Sequence, residues 1–191
     1  MTIVYLHGFN SAPQSHKAQS MQRYMAARGL GERFVCPRLP HCPDEAIALV
    51  ESEIARHPPG SVTLVGSSLG GFYATHLAEE HGMRAVLLNP AVRPGRDLES
   101  YLGIQRNLYS GEEYELTHAH VEAWRRLDVA AVHPERYLLI VETGDEVLDY
   151  REAVAKYAGA RQVIVEGGDH TLKSFPEHLP LILEFAGLEA A

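Results

Sequence analysis

The stretch Val62-Thr63-Leu64-Val65-Gly66-Ser67-Ser68-Leu69-Gly70-Gly71 passes from a short apolar run through a Gly-x-Ser-x-Gly turn into residues of helical character that continue to Glu80. A strand that reverses this sharply into a helix pushes its apex residue into strained backbone angles. Side chains two positions either side of the apex would collide, so both positions call for glycine. Ser68 has Gly66 and Gly70 there, whereas Ser67 has the bulky Val65 and Leu69. The register therefore singles out Ser68 as a candidate nucleophile.

Working outward, short apolar runs alternate with segments of helical period, the pattern of a parallel sheet covered by helices. The expected strands are Thr2 to Leu6, Arg33 to Cys36, Val62 to Val65, Arg84 to Leu88, Arg136 to Glu142 and Arg161 to Glu166. Between them, Ala18, Met21 and Met25 share one face of a helix that Gly29 would end, and Ile47, Val50 and Ile54 line another that Pro58 and Pro59 stop. A last helix is expected from about Pro176 to Phe185, with Leu179, Ile182 and Leu183 inward. The segment 91–135 breaks this rhythm. It offers no strand by this reading, and it far exceeds the ~2 to 6 residues of an ordinary βα connection. His118 to Asp128 carries Val121, Trp124 and Leu127 at helical spacing. A helical insertion here would lie as a lid over the carboxyl ends of the strands.

At 191 residues the chain suits a single domain, 1–191, with a substantial core. Its 46% hydrophobic and 22% charged residues are the balance of a globular protein. Seventeen basic against 25 acidic side chains leave a formal charge of -8, which argues against nucleic acid or an anionic membrane as partner. No apolar run approaches the ~18 residues of a membrane span, and Met1 to His7 lacks a basic leader, so a cytoplasmic location is expected. Cys36 and Cys42 read as reduced thiols. With His41 they do not make a paired metal-ligand spacing, and no metal or organic cofactor is expected.

A serine hydroxyl attacks a carbonyl only when a base takes its proton, and an acid must hold that base in one tautomer. Two later strand ends supply such groups in chain order. Thr143-Gly144-Asp145-Glu146 follows one, and Gly167-Gly168-Asp169-His170 follows the next. Asp145 is preferred over Asp149, because Asp149 opens a helical stretch and has a capping role with Glu152 three residues on. Asp169 is read as shaping its turn. His7, in Leu6-His7-Gly8-Phe9-Asn10, precedes the serine and is read as shaping a loop; there Gly8 lets the backbone approach, and the Phe9 amide would pair with that of Leu69 to hold an oxyanion.

Taken together, Tyr5-Leu6-His7-Gly8-Phe9-Asn10-Ser11, Val65 to Gly71, Asn89-Pro90-Ala91-Val92-Arg93-Pro94, Thr143 to Tyr150 and Glu166 to His170 resemble the YqiA-type small bacterial esterases. The similarity runs from the first strand to the last helix and includes Tyr101-Leu102-Gly103. The resemblance implies a compact α/β-hydrolase fold, an intracellular protein and hydrolysis of carboxylesters, with acyl-CoA thioesters as a candidate extension. It carries the triad onto Ser68, Asp145 and His170. The expected partner is a small acyl ester or thioester. Two alternatives stay open on the sequence: an acyl-CoA thioesterase or acyltransferase using the same groups, and a non-catalytic binding protein on a hydrolase scaffold.

Overall fold

The computed structural model describes residues 1–188. In chain order the elements are β1 (Thr2–Leu6), α1 (His16–Ala26), β2 (Phe34–Val35), α2 (Pro43–Ile54), β3 (Val62–Ser67), α3 (Leu69–His81), β4 (Arg84–Leu88), α4 (Pro94–Asp97), β5 (Gly103–Arg106), β6 (Glu113–Leu116), α5 (His118–Leu127), β7 (Tyr137–Glu142), α6 (Tyr150–Lys156), β8 (Arg161–Val165) and α7 (Phe175–Phe185). The six expected strands form one parallel sheet in the order β2-β1-β3-β4-β7-β8.

Alternation along the strands divides the core between two layers. Ile3 and Tyr5 of β1 face Ala18, Met21 and Met25 of α1 and Leu179, Ile182 and Leu183 of α7. Val4 and Leu6 face Ala46, Ile47 and Val50 of α2 and the apolar side of α3. β3, β4 and β7 are inner strands covered on both sides and are largely apolar for that reason. Register then aligns the strand ends. Leu6 pairs with Gly66, Ser67 with Leu88 and Glu142 with Val165, so the turns after β1, β3, β4, β7 and β8 share one edge of the sheet.

The insertion differs from the expectation of a strandless helical segment. α5 is present, but it is preceded by an antiparallel hairpin in which Gly103 pairs with Leu116 and Arg106 with Glu113. The signal for β6 is the alternation Glu113-Tyr114-Glu115-Leu116, whose glutamates are exposed while Tyr114 is half-buried and Leu116 buried. The turn is closed by Asn107, whose Oδ1 accepts the amides of Tyr109 and Ser110 at 2.9 and 3.0 Å. Gly111 completes it at φ +73°.

Candidate active site

Ser68 sits at φ 54°, ψ −121°, immediately before α3. Its strain is held by three backbone bonds: its amide donates to Leu88 O at 3.0 Å, and its carbonyl accepts Gly71 N at 2.9 Å and Ala91 N at 3.0 Å. A Cβ on Gly66 would strike the backbone of Gly70 and Gly71, and one on Gly70 would strike the carbonyl of Leu6. The collision expected between the two flanking positions is therefore only half the reason for Gly70, because β1 passes directly behind it. Ser67 is buried, and no histidine bonds its hydroxyl.

His170 Nε2 lies 3.1 Å from Ser68 Oγ, and His170 Nδ1 lies 2.8 Å from Asp145 Oδ2. Asp145 is almost fully enclosed, with its side chain 1% exposed. Its other oxygen accepts the amides of Val147 and Leu148 at 2.9 and 2.8 Å. An ionised acid is a pure acceptor, so it takes Nδ1–H from the imidazole and leaves Nε2 free to accept the serine proton. Asp149 caps α6 instead, accepting Arg151 N at 3.0 Å. Asp169 accepts Thr171 N at 2.9 Å and pairs with Lys173 at 2.6 Å.

The loop after β1 passes close to the serine, and a Cβ on Gly8 would lie 3.2 Å from Ser68 Cβ. His7 is buried and accepts Leu39 N at its Nε2, 3.0 Å away. That leaves Nδ1–H to donate to Gly8 O at 3.1 Å. Burial lowers the pKa of this ring, in keeping with a neutral imidazole that accepts on one side and donates on the other. Gly8 O also accepts Ser11 N at 3.3 Å. In a trans peptide the N–H points opposite the carbonyl, so pinning Gly8 O aims Phe9 N–H the other way. Leu69 is the first residue of α3, where the amide has no intrahelical acceptor.

A cleft of about 530 Å³ opens on Ser68 and His170 and is also lined by His16, Lys17, Leu108 and Tyr109. A second cleft of about 290 Å³ lies across the His7–Ser11 loop and is lined by Leu69, Arg38, His41 and Tyr114. Tyr109 and Tyr114 of the insertion thus border the clefts. Trp124 does not; it is buried, with Nε1 donating to Tyr73 OH at 2.8 Å. The hairpin is tied to the loop after β1 by Leu108 N to Asn10 O at 2.9 Å, Asn107 Nδ2 to Ser11 O at 2.8 Å and Tyr114 OH to Asn10 Oδ1 at 2.9 Å.

Two residues that sequence reasoning passed over organise the His170 turn. Glu142, the last residue of β7, is buried and accepts the amides of Asp169, Lys173 and Ser174 at 2.7, 3.2 and 2.7 Å. Asn89, at φ 39°, accepts Glu142 N at 2.9 Å and donates to the carbonyls of Asp169 and His170 at 3.1 and 3.4 Å. A glutamate closing an apolar strand was the available signal.

Residues 2–187 match the uncharacterised protein family UPF0227 over essentially the whole described length. The chain belongs to the UPF0227 family. Among its relatives, a UPF0227 protein of Serratia proteamaculans is 27% identical and covers 97% of this chain and 99% of its own length. One from Yersinia enterocolitica is 24% identical with the same coverage. Solved structures similar to this UPF0227 chain include the mouse alpha/beta hydrolase domain-containing protein 10 (TM-score 0.73, 15% identity, covering 96% of this chain and 88% of that one). Est1E from Butyrivibrio proteoclasticus reaches a TM-score of 0.64 at 16% identity, covering 97% and 84%. A monoacylglycerol lipase of Paleococcus ferrophilus also reaches 0.64 at 16% identity, covering 98% and 94%. These likenesses, with the six-stranded parallel sheet, establish the α/β-hydrolase fold for this UPF0227 member. No helix among its described residues is long and apolar enough to cross a membrane.

Proposed function

We propose that this UPF0227 chain is a single-domain serine hydrolase of carboxylesters, with acyl-CoA thioesters as candidate further substrates, working through an acyl-enzyme. The observation that carries the reading is the hydrogen-bond chain Asp145–His170–Ser68 at 2.8 and 3.1 Å, placed at the mouth of a cleft. Ser68 Oγ attacks the carbonyl carbon while its proton passes to His170 Nε2, and the carbonyl electron pair moves onto oxygen. The amides of Phe9 and Leu69 hold that oxyanion, and a donor of this kind is worth about 10² to 10³ in turnover. Collapse breaks the bond to the leaving group, which takes the proton from His170. Water then repeats the sequence with His170 as base and releases the acid. Asp145 keeps Nδ1 protonated and stabilises the imidazolium. The bonds from Asn107, Leu108 and Tyr114 to the loop after β1 support a cap fastened to the oxyanion loop over a lid that swings free. The work proposed for this protein is cytoplasmic and on small molecules.

Hydrolysis of p-nitrophenyl esters from two to sixteen acyl carbons, with Ser68→Ala in parallel, tests this. Turnover peaking at one chain length and lost in the variant is expected. A folded wild type with no Ser68-dependent turnover on any ester, and no labelling by a fluorophosphonate, would favour a binding protein on the same scaffold.

A further inference from the structure

We propose that Lys17 is a specificity-determining residue whose ammonium pairs with an anionic group, carboxylate or phosphate, on the departing alcohol or thiol half of the substrate, close to the scissile bond. The proposal rests on the ester-hydrolase reading above and adds a substrate class to it.

Lys17 is out of place by every local criterion. It is the second residue of α1, whose first turn has no acidic residue, so its charge opposes the helix dipole. The chain has three lysines in all, and the other two each hold an aspartate, Lys156 with Asp128 at 2.9 Å and Lys173 with Asp169 at 2.6 Å. Among the described residues Lys17 makes no such pair. The acids in its neighbourhood are already committed. Asp145 is bound to His170 and two amides, Asp169 to Lys173 and Thr171, and Glu142 to three amides of the His170 turn. Local rules broken together at one residue point to a functional site.

The placement gives that function a direction. Lys17 lines the same cleft as Ser68 and His170, and its Nζ donates to Thr171 O at 2.9 Å, the residue directly after His170. An ammonium has three donors, and this contact uses one. The leaving group must receive its proton from His170 Nε2, so it departs on the His170 side of Ser68, where Lys17 stands. Burial lowers the ammonium pKa to about 8, with Asp145, Asp169 and Glu142 supporting the charge from a distance. The group therefore remains cationic at neutral pH, half-desolvated and without a contact anion, the state in which a charge-assisted hydrogen bond is strongest.

The test compares butyrate esters of 4-hydroxybenzoate and of 4-hydroxyphenyl phosphate with the neutral butyrate ester of methyl 4-hydroxybenzoate. Each is turned over by wild type, Lys17→Met, Lys17→Arg and Lys17→Glu. Wild type should favour at least one anionic ester in kcat/KM by about 10- to 100-fold, the worth of one hydrogen bond to a charged group. The ratio should fall to near one in Lys17→Met, be largely kept in Lys17→Arg and drop below one in Lys17→Glu. A merely structural Lys17 would slow both ester types alike through His170 and leave the ratio unchanged. Equal turnover by wild type, a preference surviving Lys17→Met, or a preference seen only when the carboxylate is on the acyl chain, as in p-nitrophenyl hemiglutarate, would overturn the proposal. Ser68-dependent hydrolysis of the neutral ester without an anion preference would sink only the Lys17 assignment. No Ser68-dependent turnover of any ester would sink the hydrolase reading with it.

Discussion

The carboxylate of Glu142 accepts the backbone amide of Asp169 at 2.7 Å, one residue before His170. The amides of Lys173 and Ser174 close on the same carboxylate, so the turn between β8 and α7 is wrapped around an anion only 1% exposed. Burial alone would raise the pKa of Glu142, but the bonds from Ser174, Asp169 and Lys173 outweigh it and hold the group below the ordinary carboxylate value.

Glu142→Gln is expected to cost about 1–3 kcal/mol of stability, because an amide cannot accept these donors on both of its heavy atoms. A folded pKa below the unfolded value of ~4.3 means that the stabilisation is complete above the unfolded value and fades as pH falls through the folded one. The gap in urea midpoint between wild type and Glu142→Gln should therefore be wide at pH 7 and narrow below about pH 4. An equal gap at both pH values would contradict this account.

Gly168 tests the same contact from the other side. It has φ +72°, and a Cβ there would fall on the Glu142 carboxylate. Gly168→Ala should lower the melting temperature and reduce kcat more than it raises KM, since the displaced turn carries His170. Unchanged thermal stability would mean that the carboxylate has room to move.

Asp145→Asn should leave the fold nearly intact, because Asn Oδ1 can still accept Val147 N and Leu148 N. Its NH₂ would face His170 Nδ1 and drive the proton to Nε2, the wrong tautomer for taking a proton from Ser68. A fall of about 10⁴ in kcat is expected on p-nitrophenyl esters, with circular dichroism unchanged. A fall under tenfold would remove Asp145 from the proposed triad.

Tyr114→Phe removes the hydroxyl that binds Asn10 Oδ1 at 2.9 Å and with it one tie between the hairpin and the loop after β1, proposed to hold the oxyanion. Asn10 is itself at φ 51°. We expect about 0.5–1.5 kcal/mol of lost stability and a several-fold lower kcat at nearly constant KM, measured by steady-state kinetics beside thermal unfolding. A change confined to KM would mean that Tyr114 serves the substrate pocket and leaves the loop alone.

Much of this was legible before folding. Short apolar runs marked the six parallel strands, because burial on both sides of a sheet leaves little alternation, and 3.6-residue periods marked the faces of α1, α2 and α7. The hairpin escaped because its strands are short, half exposed and cut by the Asn107–Gly111 turn, which leaves too few residues for the alternation to stand out. The helical spacing of Val121, Trp124 and Leu127 places Trp124 on one face of α5, but only the packed structure shows that this face meets Tyr73.

The sequence by itself determined that Ser68 stands at a strained turn, since only glycine tolerates the crowding at 66 and 70, and that Asp145 and His170 follow strand ends. Local sterics and periodicity are properties of neighbouring residues and can be read from a string. Tertiary structure alone decided that Lys17, Glu142 and Asn89 gather around His170, and that Asn10 receives the hairpin. Those contacts join elements far apart in the chain, and parallel register brings their strand ends to one edge; no local pattern encodes which side chains then meet there.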